Sequence, residues 1–202
     1  MIKQDPKQAG QVRSEPSNGF STAVLGTLAL GVVGAVLALV FDVALPVQPT
    51  ASALLLGVAA TLPMALFFVL FVGTKHPRVS AFREDQLKFF AGMPYLFTPS
   101  RVVILALLAG INEELLFRGF LQPYADRFMP TTVAIVVTNV LFGLLHARTF
   151  LYMIITTLIG IYLGFVLVWT DSLIAPMTAH ALYDIIALEW TRRLLKSRGF
   201  LN

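Results

Sequence analysis

Three stretches of this chain, residues 20–41, 43–74 and 149–170, contain no charged side chain at all. A helix rises 1.5 Å per residue, so about 20 such residues span a hydrocarbon core of roughly 30 Å. Pro46 and Pro49 interrupt the second stretch, so its spanning part is expected to begin near Thr50. Only 13% of the 202 residues are charged and 57% are apolar, against about 25% and 45–50% in an average soluble domain. That leaves too little polar surface to cover a water-soluble globule. Intrinsic disorder is excluded as well, because it needs low hydrophobicity and high net charge. The chain has no cysteine, which removes disulfides, thiolate zinc sites and cysteine nucleophiles from consideration.

Three further segments, about 100–124, 131–146 and 172–190, are apolar but broken by polar residues. The expected fold class is therefore all-α: a polytopic membrane helical bundle of about six transmembrane helices. Residues 1–19 read as a disordered polar lead and not as a cleavable signal, 20–191 as a single helical domain, and 192–202 as a basic tail. The sequence shows no internal repeat.

The basic residues set the orientation, since cytoplasmic loops carry an excess of Lys and Arg. With the N-terminus inside, the inner segments hold three (Lys3, Lys7, Arg13), five (Lys75, Arg78, Arg83, Lys88, Arg101), one (Arg148) and four (Arg192, Arg193, Lys196, Arg198). The outer loops hold only Arg127, and Arg118 lies within a span. Both termini are thus expected in the cytoplasm, in a multi-pass protein of the cell membrane or an endomembrane. The net charge of +4 is a topology signal, so membrane lipid and not nucleic acid is the expected partner. Residues 76–91 mix Arg83, Glu84, Asp85 and Lys88 with Val79, Phe82, Leu87, Phe89 and Phe90, the pattern of a helix lying on the inner surface or of an amphipathic connector.

An ionisable group inside a span is expensive, and its default reading is functional. The third span carries Asn112-Glu113-Glu114 and then Arg118. Glu114 and Arg118 are four residues apart, one helical turn, and suit an ion pair. Glu113 is rotated by about 100° from them and has no basic residue three or four positions on. One carboxylate is structural on this reading and the other is free for chemistry. The blander reading has both acids simply holding helices together.

Of three histidines, His76 lies in the basic loop beside Pro77, His146 ends the fourth span in Phe142-Gly-Leu-Leu-His146, and His180 lies in the sixth in His180-Ala-Leu-Tyr-Asp184. A single histidine in a membrane helix is often a packing residue. Depth argues for more here. If spans three and four form an antiparallel pair turning at Met129-Pro130, Glu113 and His146 lie 17 and 16 residues from the turn, each roughly 25 Å down its helix. Glu113 lies 12 residues after Arg101 and His180 12 residues before Arg192, roughly 18 Å from the inner ends. The three groups therefore share one layer, reached from the inside.

Two chemistries fit such a layer. In one, Glu113 is general base to a water, helped by His146, and His180 with Asp184 faces the developing oxyanion. No cofactor is then required. In the other, Glu113, His146 and His180 hold a divalent, zinc-like ion that activates the water. Spacing leaves both open.

These residues resemble a known family. Glu113-Glu114-Leu-Leu-Phe-Arg118 is similar to the Glu-Glu-x-x-x-Arg motif of the CAAX-protease and bacteriocin-processing family of intramembrane proteases. Phe142-x-x-x-His146 resembles its second motif, and His180-x-x-x-Asp184 its third. The resemblance covers about residues 100–190 and implies an all-helical endopeptidase whose site opens to the cytoplasm. It implies Glu113 and His146 as the water-activating pair, His180 as an oxyanion or orienting residue, and Glu114, Arg118 and Phe142 as support. The implied substrate is a membrane-associated protein or peptide, lipidated in the eukaryotic branch, which trims prenylated C-termini. Some relatives are instead linked to self-immunity or scaffolding, so a non-catalytic membrane protein is the alternative. A small transporter fits less well, for want of repeated or broken helices. Asp184 departs from the prenyl-protein branch, which has Asn there. An ionised carboxylate only accepts, so Asp184 is expected to accept a hydrogen bond from His180.

Overall fold

The computed structural model describes residues 18–201, so the polar lead, residues 1–17, lies outside the described residues. The described chain is built from α-helices: α1 (Gly19–Val40), α2 (Ala51–Gly73), α3 (Pro77–Ala91), α4 (Pro99–Glu114), α5 (Gln122–Asp126), α6 (Thr131–Leu145), α7 (Phe150–Thr170) and α8 (Ile174–Ser197). A π-helical turn, Leu115–Leu121, joins α4 to α5 without a break. Pro123 follows it; lacking an N–H, it cannot bond to the carbonyl four residues back, and the chain before it widens to the i→i+5 pattern.

Local chemistry marks the helix starts. The hydroxyls of Thr50, Thr98 and Thr149 accept from the backbone N–H of Ala53, Arg101 and Tyr152 at 3.1, 3.3 and 3.2 Å, the N-cap bond that satisfies an otherwise orphaned donor. Pro77 and Pro99 sit in the first turns of α3 and α4, where a missing N–H costs nothing. His76, read as a loop residue, caps α3 by accepting from the Arg78 N–H at 3.3 Å. Asp42 and Asp171 adopt left-handed φ angles of 51° and 45° just after α1 and α7, a conformation short polar side chains tolerate and one that stops a helix.

The polarity of the bundle is inverted relative to a soluble domain. Leu25, Val32, Leu39, Leu55, Leu62 and Leu145 are exposed, while Glu114 and Arg118 are fully buried. Three helices, α1, α2 and α7, are long and apolar enough to cross a membrane, and α6 is apolar but shorter. Together with α8 and the continuous run from α4 to α5, they make six rods. At one end, Arg127 donates to the carbonyls of Phe41, at 2.8 Å, and Asp42, and the Leu173 N–H donates to Pro46 O at 3.0 Å. At the other, α3 is tied down by Arg148–Asp85 at 2.9 Å and Arg198–Glu84 at 2.7 Å. The Arg198 guanidinium holds the Glu84 carboxyl below the usual carboxylate range. The basic residues thus gather opposite Arg127.

Packing refines several expectations. Residues 76–91 do form a helix, and its Leu87 packs with Phe97, Val102 and Leu195. α8 runs on through Arg192 and Arg193 to Ser197, and both arginines pair with Glu189 at 2.6 and 2.7 Å. Gly31 and Gly34 seat α1 against Asn112 and the Leu116 backbone, whereas Gly26 faces nothing. Trp169 is exposed, and the Trp190 ring packs edge-on to Phe68 at 5.5 Å.

The α4–α8 contact brings backbone against backbone. A Cβ on Gly110 would lie 2.6 Å from the Ala181 backbone nitrogen. Gly110→Ala is expected to destabilise the protein by about 1–3 kcal/mol, since a backbone cannot yield as a side-chain tip does. Gly26→Ala, with nothing within 4 Å, should be neutral or stabilise by about 0.5–1 kcal/mol. Thermal unfolding of the two variants in detergent measures the contrast.

Candidate active site

The two adjacent glutamates point in different directions, as the helical pitch requires. Glu114 faces the interior and is fully buried; its Oε1 accepts from Arg118 Nη1 at 2.9 Å. The Arg118 guanidinium also reaches two other helices, donating from Nη2 to Asn139 Oδ1 on α6 at 2.7 Å and to the Gly160 carbonyl on α7 at 2.8 Å. Its carbon lies 5.0 Å from the centre of the Phe142 ring. Asn139 is 1% exposed. Gly160 is glycine for want of room: a Cβ there would stand 2.5 Å from Asn139 Oδ1 and 3.0 Å from Arg118 Nη2.

Glu114 also takes a second partner. His180 Nδ1 lies 2.8 Å from Glu114 Oε1, whereas His180 Nε2 stands 3.6 Å from Asp184 Oδ2, beyond hydrogen-bond length. The expectation that Asp184 accepts from His180 is therefore corrected: α8 turns Nδ1 toward α4, and the acceptor is Glu114. The i,i+4 spacing places Asp184 beside the ring without bringing it into contact.

Glu113 is different. Its side chain is 16% exposed and its Oε2 lies 4.0 Å from His146 Nε2. His146 Nδ1 is 2.8 Å from the Phe142 carbonyl. A carbonyl can only accept, so Nδ1 carries a proton, and in that tautomer of the imidazole Nε2 is an acceptor. Two acceptors thus face one another across 4.0 Å. Phe142 positions them from behind, with its ring 4.4 Å from that of His146 and edge-on to Phe117 at 4.9 Å.

The polar groups line a cavity of about 220 Å³ that collects Glu113, His146, His180 and Asp184 in one place. Its walls are largely aromatic, with Phe67, Phe71 and Phe82 prominent. Tyr152 and Tyr183 border it too. Asn139 escaped notice because amides do not titrate, although a polar side chain within a span is itself the signal.

Among the described residues no three His, Asp or Glu side chains converge closely enough to hold a metal ion. Glu113, His146 and His180 nevertheless line one cavity, and with the Nδ1 of each histidine engaged by Phe142 O or Glu114, each ring keeps Nε2 free, as histidine ligands of metals commonly do.

Comparison with known proteins places this geometry. Residues 95–186 match the family model described as type II CAAX prenyl endopeptidase Rce1-like, a range that takes in all four cavity groups. Over 88 residues the chain is 35% identical to the uncharacterized protein YpbD of Bacillus subtilis (strain 168). That alignment covers 42% of this chain and 42% of the relative, so the match spans less than half of the relative's length. No solved structure matches the chain.

The ion pair yields a stability test. Arg118→Met strands a buried carboxylate and is expected to cost about 3–5 kcal/mol, while Glu114→Gln with Arg118→Met together should cost less than the single Arg118 substitution. Thermal denaturation of the two variants and the parent in detergent checks the non-additivity.

Proposed function

Starting from a chain whose residues 95–186 are of the Rce1-like, CAAX-protease type, we propose that it is an intramembrane endopeptidase with Glu113 as its general base. The observation that carries this reading is the pair of acceptors, Glu113 Oε2 and His146 Nε2, 4.0 Å apart on the cavity wall. That spacing accommodates one water giving a hydrogen to each, which leaves the water's lone pairs turned toward a substrate carbonyl.

Glu113 takes the water proton as the oxygen attacks the peptide carbon. The tetrahedral oxyanion develops within the cavity, where His180, its Nδ1–H donating to Glu114, stabilises it as an imidazolium through Nε2–H. Glu113 then returns the proton to the amide nitrogen as the C–N bond breaks. The aromatic walls limit access of bulk water and strengthen each of these polar contacts. This is the glutamate-type chemistry, with no cofactor required.

The substrate on this reading is a membrane-associated protein or peptide, cut near its C-terminus or its membrane-proximal part. The six rods cross the membrane, with both termini and the mouth of the cavity on the cytoplasmic side. The gathering of Arg83, Lys88, Arg148 and Arg198 at one end, with Arg127 at the other, supports that orientation.

The test is cleavage of a membrane-tethered peptide library by the purified protein, with and without a chelator. Glu113→Ala is expected to lower cleavage by about 10²–10⁴-fold, and the chelator to leave it unchanged. Undiminished cleavage by Glu113→Ala overturns the assignment. No cleavage by the parent, with partner binding that survives Glu113→Ala, leaves the scaffold or immunity reading instead. Loss of cleavage in chelator restores the metal reading.

A further inference from the structure

The water-activating pair is split between two helices, Glu113 on α4 and His146 on α6. No bond between the two side chains sets their 4.0 Å separation. Something else must hold α4 and α6 in register, because a shift of about 1 Å between reacting groups is enough to cost on the order of 10²-fold in rate. Phe117 and Phe142 touch between the two elements, but an aromatic contact slides easily.

One hydrogen bond joins the run from α4 to α5 with α6 among the described residues: Arg118 Nη2 to Asn139 Oδ1, at 2.7 Å. Asn139 lies seven residues before His146, two turns along the same face of α6. Arg118 lies five residues after Glu113, held by its bond to Glu114. Asn139 is itself braced, since its Nδ2 donates to the Ile135 carbonyl at 2.7 Å and its oxygen fills the space that a Cβ on Gly160 would need. The neighbouring Gln122 repeats the pattern, donating to the Gly164 carbonyl at 3.2 Å, but it reaches α7 and leaves α6 untouched.

We infer that Asn139 is a positioning residue of the hydrolytic site: its side-chain carbonyl, taken by Arg118, sets the distance between Glu113 and His146. The inference rests on the endopeptidase reading above for its catalytic consequence, but the geometry stands by itself. Asn139 is not among the side chains that line the cavity. It acts as a strut two turns deeper than the chemistry, in a part of the bundle where a hydrogen bond has no water to compete with it.

The variants are Asn139→Leu, which removes the acceptor at similar volume, and Asn139→Asp, which keeps it. Because the parent chain has no cysteine, the substitutions Ile111→Cys and Leu144→Cys, at two exposed positions on α4 and α6, place spin labels at those sites alone. Asn139→Leu is expected to lower kcat by about 10- to 100-fold with KM within about twofold, and to shift or broaden the label distance distribution. Asn139→Asp should return kcat to within about fivefold of the parent and restore the narrow distribution. A simple packing role would lower the melting temperature and leave kcat and the distribution of the folded protein unchanged. That result, or a parent-like distribution in Asn139→Leu, overturns the inference. If the parent cleaves nothing, the endopeptidase reading fails and the label distances alone decide whether Asn139 is the strut.

Discussion

The bonded contact of 2.9 Å between Glu114 and Arg118 organises the bundle. Both side chains are fully buried, and a charge in a membrane interior persists only when it is paired and hydrogen-bonded. Arg118 satisfies that demand by reaching past its own helix. It ends on Glu114, on Asn139 of α6 and on the Gly160 carbonyl of α7, while Glu114 takes His180 of α8. Four elements are thereby bound at one point by the cost of leaving any of these groups alone.

This arrangement separates two carboxylates that are adjacent in sequence. Glu114 has its charge neutralised and its geometry locked. Glu113, one residue earlier, meets the cavity and an imidazole acceptor, with no Lys or Arg paired to it among the described residues. A bundle whose apolar residues face outward and whose polar residues face inward concentrates its few hydrogen-bonding groups, so support and chemistry end up in neighbouring layers. The π-turn at Leu115–Leu121 carries Arg118, and such turns recur at functional sites because they re-aim side chains within a continuous helix.

Much of the fold was legible without coordinates. Runs free of charge located α1, α2 and α7, Pro49 and Thr50 marked the start of α2, and the i,i+4 spacing paired Glu114 with Arg118. Arithmetic on helical rise put Glu113, His146 and His180 in one layer, and one cavity contains them. The exception lies between helices. Asp184 seemed the partner of His180 because it lies one turn away on the same helix, yet the Nδ1 of that histidine faces α4.

What the sequence by itself determined acts along a single helix: the charge-free runs of α1, α2 and α7, the buried ion pair, and the relative depth of the polar groups. These follow from a rise of 1.5 Å and a turn of about 100° per residue, which no neighbour can change. Only the tertiary structure decided which helices touch. His180 meets Glu114, Asn139 meets Arg118, and Glu113 stands 4.0 Å from His146. Apolar faces compatible with lipid are equally compatible with one another, so residue type says little about how each rod is rotated. That rotation is set jointly by the buried polar groups and by the glycines that let backbones close together.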